Sequence, residues 1–147
     1  GVNGQNQFKE AGGQDGMLYI NSGVRMRDIT DGSTNTLFVG ERPPTNDLEY
    51  GWWFAGAGPA PHFGTADVVL GVEERNGSPT AAANTFQAGA VHDPNKAHQF
   101  HFWSLHPGGC HFLLADGSVH FLSYNVNKNT VRALASRNGG EVVESPF

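Results

Sequence analysis

The sequence predicts an α+β fold, with a mainly antiparallel β-sheet, a C-terminal β-hairpin and one short C-terminal helix. Twenty glycines and eight prolines in 147 residues imply frequent turns and leave little chain for long helices. The stretch Cys110 to Ser123, "CHFLLADGSVHFLS", sets Asp116-Gly117 between two alternating apolar runs, a strong hairpin signal. Asn127 to Glu141, "NKNTVRALASRNGGE", has the spacing of a short amphipathic helix. Helix should therefore stay below about a third of the chain. A chain of this length fits one domain, residues 1–147, and buries roughly two-thirds of its unfolded surface.

Residues 1–23 are rich in Gly, Asn and Gln and read as a loop-rich arm whose strand-like segment is Asp15 to Asn21. Val24, Met26 and Ile29 can line one side of a short helical turn, after which Asp31-Gly32 reverses the chain. Thr36 to Val39 reads as a buried strand and Arg42 to Asp47 as a loop. "YGWWFAGAG" then supplies Trp52 and Trp53, and Ala66 to Glu73 is another strand. Residues 75–95 contain Asn-Gly, Ser-Pro and Asp-Pro without apolar periodicity, as expected of a long surface loop. His98 to His106 alternates, which predicts a strand with Phe100, Phe102 and Ser104 on one face and His101, Trp103 and Leu105 on the other.

A two-residue type I′ turn at Asp116-Gly117 needs positive φ at both positions and fixes a register. Leu114 then faces Val119, Phe112 faces Phe121 and Cys110 faces Ser123 on the core side, with His111, Leu113, His120 and Leu122 on the other. In the helix, Asn127 or Asn129 caps the start, Val131, Leu134 and Ala135 form the buried stripe, and Asn138-Gly139 ends it.

Net charge −5, with nine scattered Lys and Arg, offers no basic stripe for phosphates, so nucleic acid is not an expected partner. No apolar run is long enough to span a bilayer. The chain opens on Gly-Val-Asn rather than Met, and its start is not expected to be that of the gene. One cysteine cannot form an internal disulfide, and Cys110 continues the series Phe112 and Leu114, as a small buried apolar residue would.

The chemistry expected is structural. His98 and His101 form a local pair without a second pair at zinc spacing, and His111 with His120 is the other histidine pair that a metal could use. Asp28, Asp31 and Asn35 offer oxygens at a faintly calcium-like spacing but lack the glycine and distal glutamate of an EF-hand loop, and Asx turns explain them more simply. The expectation is thus no cofactor, calcium being the alternative. Trp52 or Trp53 could stack on a sugar, which makes an extracellular carbohydrate-binding module the competing reading. No motif places a catalytic carboxylate pair, a nucleophile elbow or a phosphate loop, so no enzyme is expected.

Three segments taken together, "DITDGSTNTLFVGE" (Asp28 to Glu41), "SLHPGGCHFLLADGSVHFLS" (Ser104 to Ser123) and "GGEVV" (Gly139 to Val143), resemble the bacterial family of prepilin-like proteins with an H-x9-DG motif, abundant in planctomycetes. His106 and Asp116-Gly117 have that spacing, and Asp31, Gly32, Asn35 and Glu41 fall in the first segment. The resemblance implies a pilin-like head domain, with membrane contact through an N-terminal hydrophobic helix that this chain does not contain. It further implies a non-enzymatic cell-envelope or extracellular subunit that assembles with other protein subunits, as a homo-oligomer or filament. His106 and Asp116 would stand about 17 to 20 Å apart at opposite ends of a regular strand, each defining a turn and meeting its own partner.

Overall fold

The computed structural model describes residues 1–6, 14–19, 21–43, 70–74, 84–92, 98, 100–144 and 146–147. Strands β1 (Val2–Asn6), β3 (Leu70–Glu74) and β4 (Asn84–Thr85) form one sheet in the order β1-β3-β4. Strands β2 (Leu37–Gly40), β5 (Gly109–Leu114) and β6 (Val119–Ser123) form a second, ordered β2-β5-β6. Pairing is antiparallel except between β1 and β3. Helix α1 (Lys128–Ala135) completes an α+β fold. It packs on β1, β2 and β3, so both sheets and the helix share one core.

Phe112 stands at the centre of that core. Its ring meets Phe86 and Phe102 edge-on at 5.6 and 5.4 Å, the arrangement aromatic quadrupoles prefer. Cys110, Leu114, Leu37 and Leu122 surround it, all essentially without solvent contact. Gly40 lets the rings come close, because a side chain there would collide with Phe112 and Phe102.

The helix follows its sequence signals. Asn127 accepts the Asn129 N–H at 2.9 Å, and Val131, Leu134 and Ala135 are buried. It ends at Ser136, earlier than the Asn138-Gly139 expected, and the positive φ falls on Gly140. Arg137 explains the early stop. Its N–H donates to the Asp15 carbonyl and its Nη1 to the carbonyls of Gln14 and Gly16, both at 2.7 Å, so tertiary bonds replace the next helical turn.

Other expectations are corrected. The arm at 1–23 contains β1, which pairs with β3 in a way that no local pattern announces. Residues 15–19 are not a strand. Ile29 is buried but Met26 projects outward. Residues 101–104 are irregular, and His101, Phe102, Trp103 and Ser104 are all buried, so the alternating strand does not form. Within 75–95, β4 pairs with β3 and Phe86 is buried in the core. Trp52, Trp53 and residues 66–69 lie outside the described residues, while the second half of the strand expected at 66–73 forms within β3.

The hairpin forms, in a register one residue from that expected. His111 opposes Phe121, Phe112 opposes His120 and Leu113 opposes Val119. Leu114 and Ser118 flank a three-residue loop in which only Gly117 has positive φ, at 91°. The Asp116 carboxylate accepts the Ser118 N–H at 2.9 Å and its hydroxyl at 2.6 Å. The N–H groups of Ala115 and Asp116 donate to Thr36 and Ser33. This tertiary tie selects the longer loop, and the slip carries Phe121 to the outer face and His120 to the inner one.

Gly117→Val should therefore lower stability by about 1 kcal/mol or more, because a left-handed β-branched residue is strained even where space is open. Asp116→Asn keeps an acceptor for Ser118 and should be mild. Thermal melts of the two variants against the parent check the ordering.

Candidate functional site

Glu41 follows β2 directly, and its N–H, its carbonyl and one carboxylate oxygen are hydrogen-bonded. Its N–H donates to the His111 carbonyl at 3.3 Å and its carbonyl accepts the Trp103 N–H at 3.2 Å. Carboxylate Oε2 accepts the His111 N–H at 2.7 Å and stands 3.4 Å from His111 Nδ1. Oε1 stands 3.5 Å from His106 Nε2. The two imidazoles meet nearly at right angles, 4.8 Å apart, and Phe121 packs on His111 at 5.2 Å.

The chain around His106 holds its backbone in place. Ser104 Oγ accepts the His106 N–H at 3.0 Å and donates to the Gly109 carbonyl at 2.8 Å, which closes the Pro107-Gly108-Gly109 turn. His106 thereby folds back over His111. The ligand atoms of Glu41, His106 and His111 all lie within 4.8 Å of one another, on a solvent-accessible face. A carboxylate with two imidazoles can share protons or hold a cation.

The remaining candidate residues are placed elsewhere. Asp31 accepts the N–H groups of Gly139 at 2.7 Å and Gly140 at 3.0 Å, clamping the segment after α1. Asp28 accepts the Arg25 N–H at 2.8 Å, Asn35 Nδ2 donates to the Asp31 carbonyl, and Gly32, at positive φ, accepts from Asn35 and Thr36. These groups serve local turns and amides. Hydrogen bonds from Ser118 hold the Asp116 carboxyl below its usual range. Asp116 and His106 meet different partners at opposite ends of β5. His111 and His120 occupy opposite faces of the hairpin, with His120 against Phe147.

His98 and His101 do meet, Nδ1 to Nε2, at 2.8 Å. His101 Nδ1 lies 3.1 Å from the Phe102 carbonyl, which can only accept, so Nδ1 carries the proton and Nε2 accepts from His98. Burial lowers the His101 pKa to about 4. Cys110 is buried in the core, and burial raises its thiol pKa far above neutrality, with the Glu41 charge adding to the rise. It is no ready nucleophile.

A family model described as "protein of unknown function (DUF1559)" matches residues 2–129, and the chain belongs to this family, that of the prepilin-like H-x9-DG proteins. The matched residues end within the first turn of α1. No curated protein and no solved structure matches the chain.

Sequence reasoning singled out Glu41, His106 and His111 in separate roles and did not join them. The available signal was His106 and His111 flanking Pro-Gly-Gly, a turn able to bring the second histidine back under the first.

Two outcomes follow. An unfolded His101 takes up a proton below pH 6.5, whereas the folded residue resists it until about pH 4. Its contribution is complete above 6.5 and is lost across that window, by up to about 3 kcal/mol. Urea titrations from pH 7.5 to 4 should show this loss, with a shallower slope in His101→Gln. Separately, Asp31→Ala should release residues 139–143, seen as faster amide exchange there than in β5.

Proposed function

We propose that the chain is a non-enzymatic, pilin-like subunit of the cell envelope or extracellular surface that assembles with other protein subunits. The observation that carries this reading is the outer face of the β2-β5-β6 sheet. Val39, Leu113 and Val119 lie side by side across the three strands, with Phe121 in the next row. Val119 is 61% exposed, and Val39 and Phe121 are also open to solvent. Leu105, in the bend before β5, is 73% exposed. Large apolar side chains gathered on one sheet face mark a surface that another protein covers.

The sheet edge supports the same reading. Among the described residues β6 pairs only with β5, and strand addition beside such a strand is a recurring mode of protein recognition. No helix of the described residues is long and apolar enough to cross a membrane. The family's prepilin-like character supports the envelope assignment. The reading needs no nucleic acid and no catalytic cofactor.

Photo-crosslinking residues placed at 119 and 121 of the full-length protein, in the cells that produce it, test the reading. Adducts with another copy or another envelope protein, weakened by Val39→Lys, are expected. A protein that stays in the cytoplasm, or yields only glycan adducts or none, overturns it.

A further inference from the structure

We propose that Glu41, His106 and His111 form a binding site for one divalent cation of the zinc type. The donor set comes from three separate places in the chain: the residue after β2, the turn before β5, and β5 itself. Two imidazoles and one carboxylate are a donor set used by zinc sites that keep a position open. They suit zinc, cobalt, nickel or copper better than calcium or magnesium, which prefer all-oxygen shells.

The distances distinguish this from a simple hydrogen-bonded cluster. Glu41 Oε2 stands 3.4 Å from His111 Nδ1 and Oε1 stands 3.5 Å from His106 Nε2, both beyond the 2.7–3.2 Å of a good N–H···O bond. Ligands bound at about 2.0–2.1 Å around a tetrahedral ion stand about 3.4 Å from one another. Each ring nitrogen thus has one carboxylate oxygen at the separation that two ligands of one ion have. The ligand atoms of the third pair, His106 and His111, lie within 4.8 Å of each other, and the His106 side chain is half exposed.

The surroundings provide the support a metal site needs. The His111 N–H fixes Oε2 from behind, and the Ser104 hydroxyl fixes the His106 backbone. Such outer bonds orient ligands before the ion arrives. Phe121 walls one side of His111, and the exposure of all three side chains leaves the remaining position to water. The site goes beyond the assembly reading and is measurable on the isolated chain, so either can fail alone.

The test is calorimetric titration of Zn2+ into EDTA-treated, dialysed protein, with Co2+ absorption as a second readout. One ion per chain is expected, with a cobalt spectrum of a four-coordinate nitrogen–oxygen site. His106→Ala removes a half-exposed ring and should leave the metal-free melt unchanged. Glu41→Gln keeps an acceptor for the His111 N–H. Each should weaken binding by at least about ten- to a hundredfold, the loss that even outer-shell changes cause. His98→Ala should bind as the parent does. No Zn2+ binding by the parent overturns the proposal, as does binding that both His106→Ala and Glu41→Gln leave intact.

Discussion

The attachment of Glu41 to β5 organises much of this fold. One residue binds His111 through its N–H and its carboxylate, and Trp103 through its carbonyl. The first pair of bonds continues the β2–β5 ladder past the end of β2. The third draws the irregular 101–104 segment onto the sheet, where Phe102 and Trp103 become core although no strand carries them. Irregular backbone is tolerated in a core only when its polar groups are satisfied. Glu41, the Tyr124 hydroxyl on the Ser104 N–H, and Ser104 Oγ together provide much of that satisfaction.

The motif spacing acquires a physical meaning from the same ladder. Segment 31–41 runs antiparallel beside β5, and its two ends meet the two motif residues. At one end Ser33 accepts the Asp116 N–H, and at the other Glu41 faces His106. Nine residues separate His106 from Asp116 because a turn, one strand and the start of a loop must cover that length of partner. Asp31 extends the unit by gripping Gly139 and Gly140. The three segments that carry the family resemblance are thus one hydrogen-bonded assembly.

What was legible in the sequence was local. The helix stripe Val131, Leu134 and Ala135, the hairpin with Gly117 at positive φ, the burial of Cys110 and the strand at Leu37 each follow from periodicity or turn chemistry. What was not legible depends on partners distant in the chain. Strand β1 exists because Leu70 and its neighbours accept it, and the hairpin register depends on Ser33 and Thr36 reaching the loop. Asp-Gly alone favours a two-residue turn. Two tertiary hydrogen bonds were enough to select the three-residue one. The candidate site was half legible: its residues were visible, but their meeting required the Glu41 bond, which joins positions seventy residues apart.

That one-residue shift decides where chemistry can occur. On the inner face of β5, Cys110, Phe112 and Leu114 are sealed against Leu37 and Leu122, so nothing there can meet a solute. In the register expected from Asp-Gly, Phe121 would have joined that core and His120 would have shared the outer face with His111. The observed register moves Phe121 out beside His111 and places His120 against Phe147. The outer face thereby gains two adjoining properties, an apolar row of Val39, Leu113 and Val119 and a polar row of Glu41 and His111 ending in Phe121. Because side chains alternate along each strand, the residues that build the core also fix the spacing of those that face outward. A mutation of the inner row would therefore reach the outer cluster through the backbone, whereas His106, held at the turn, can change without disturbing the core.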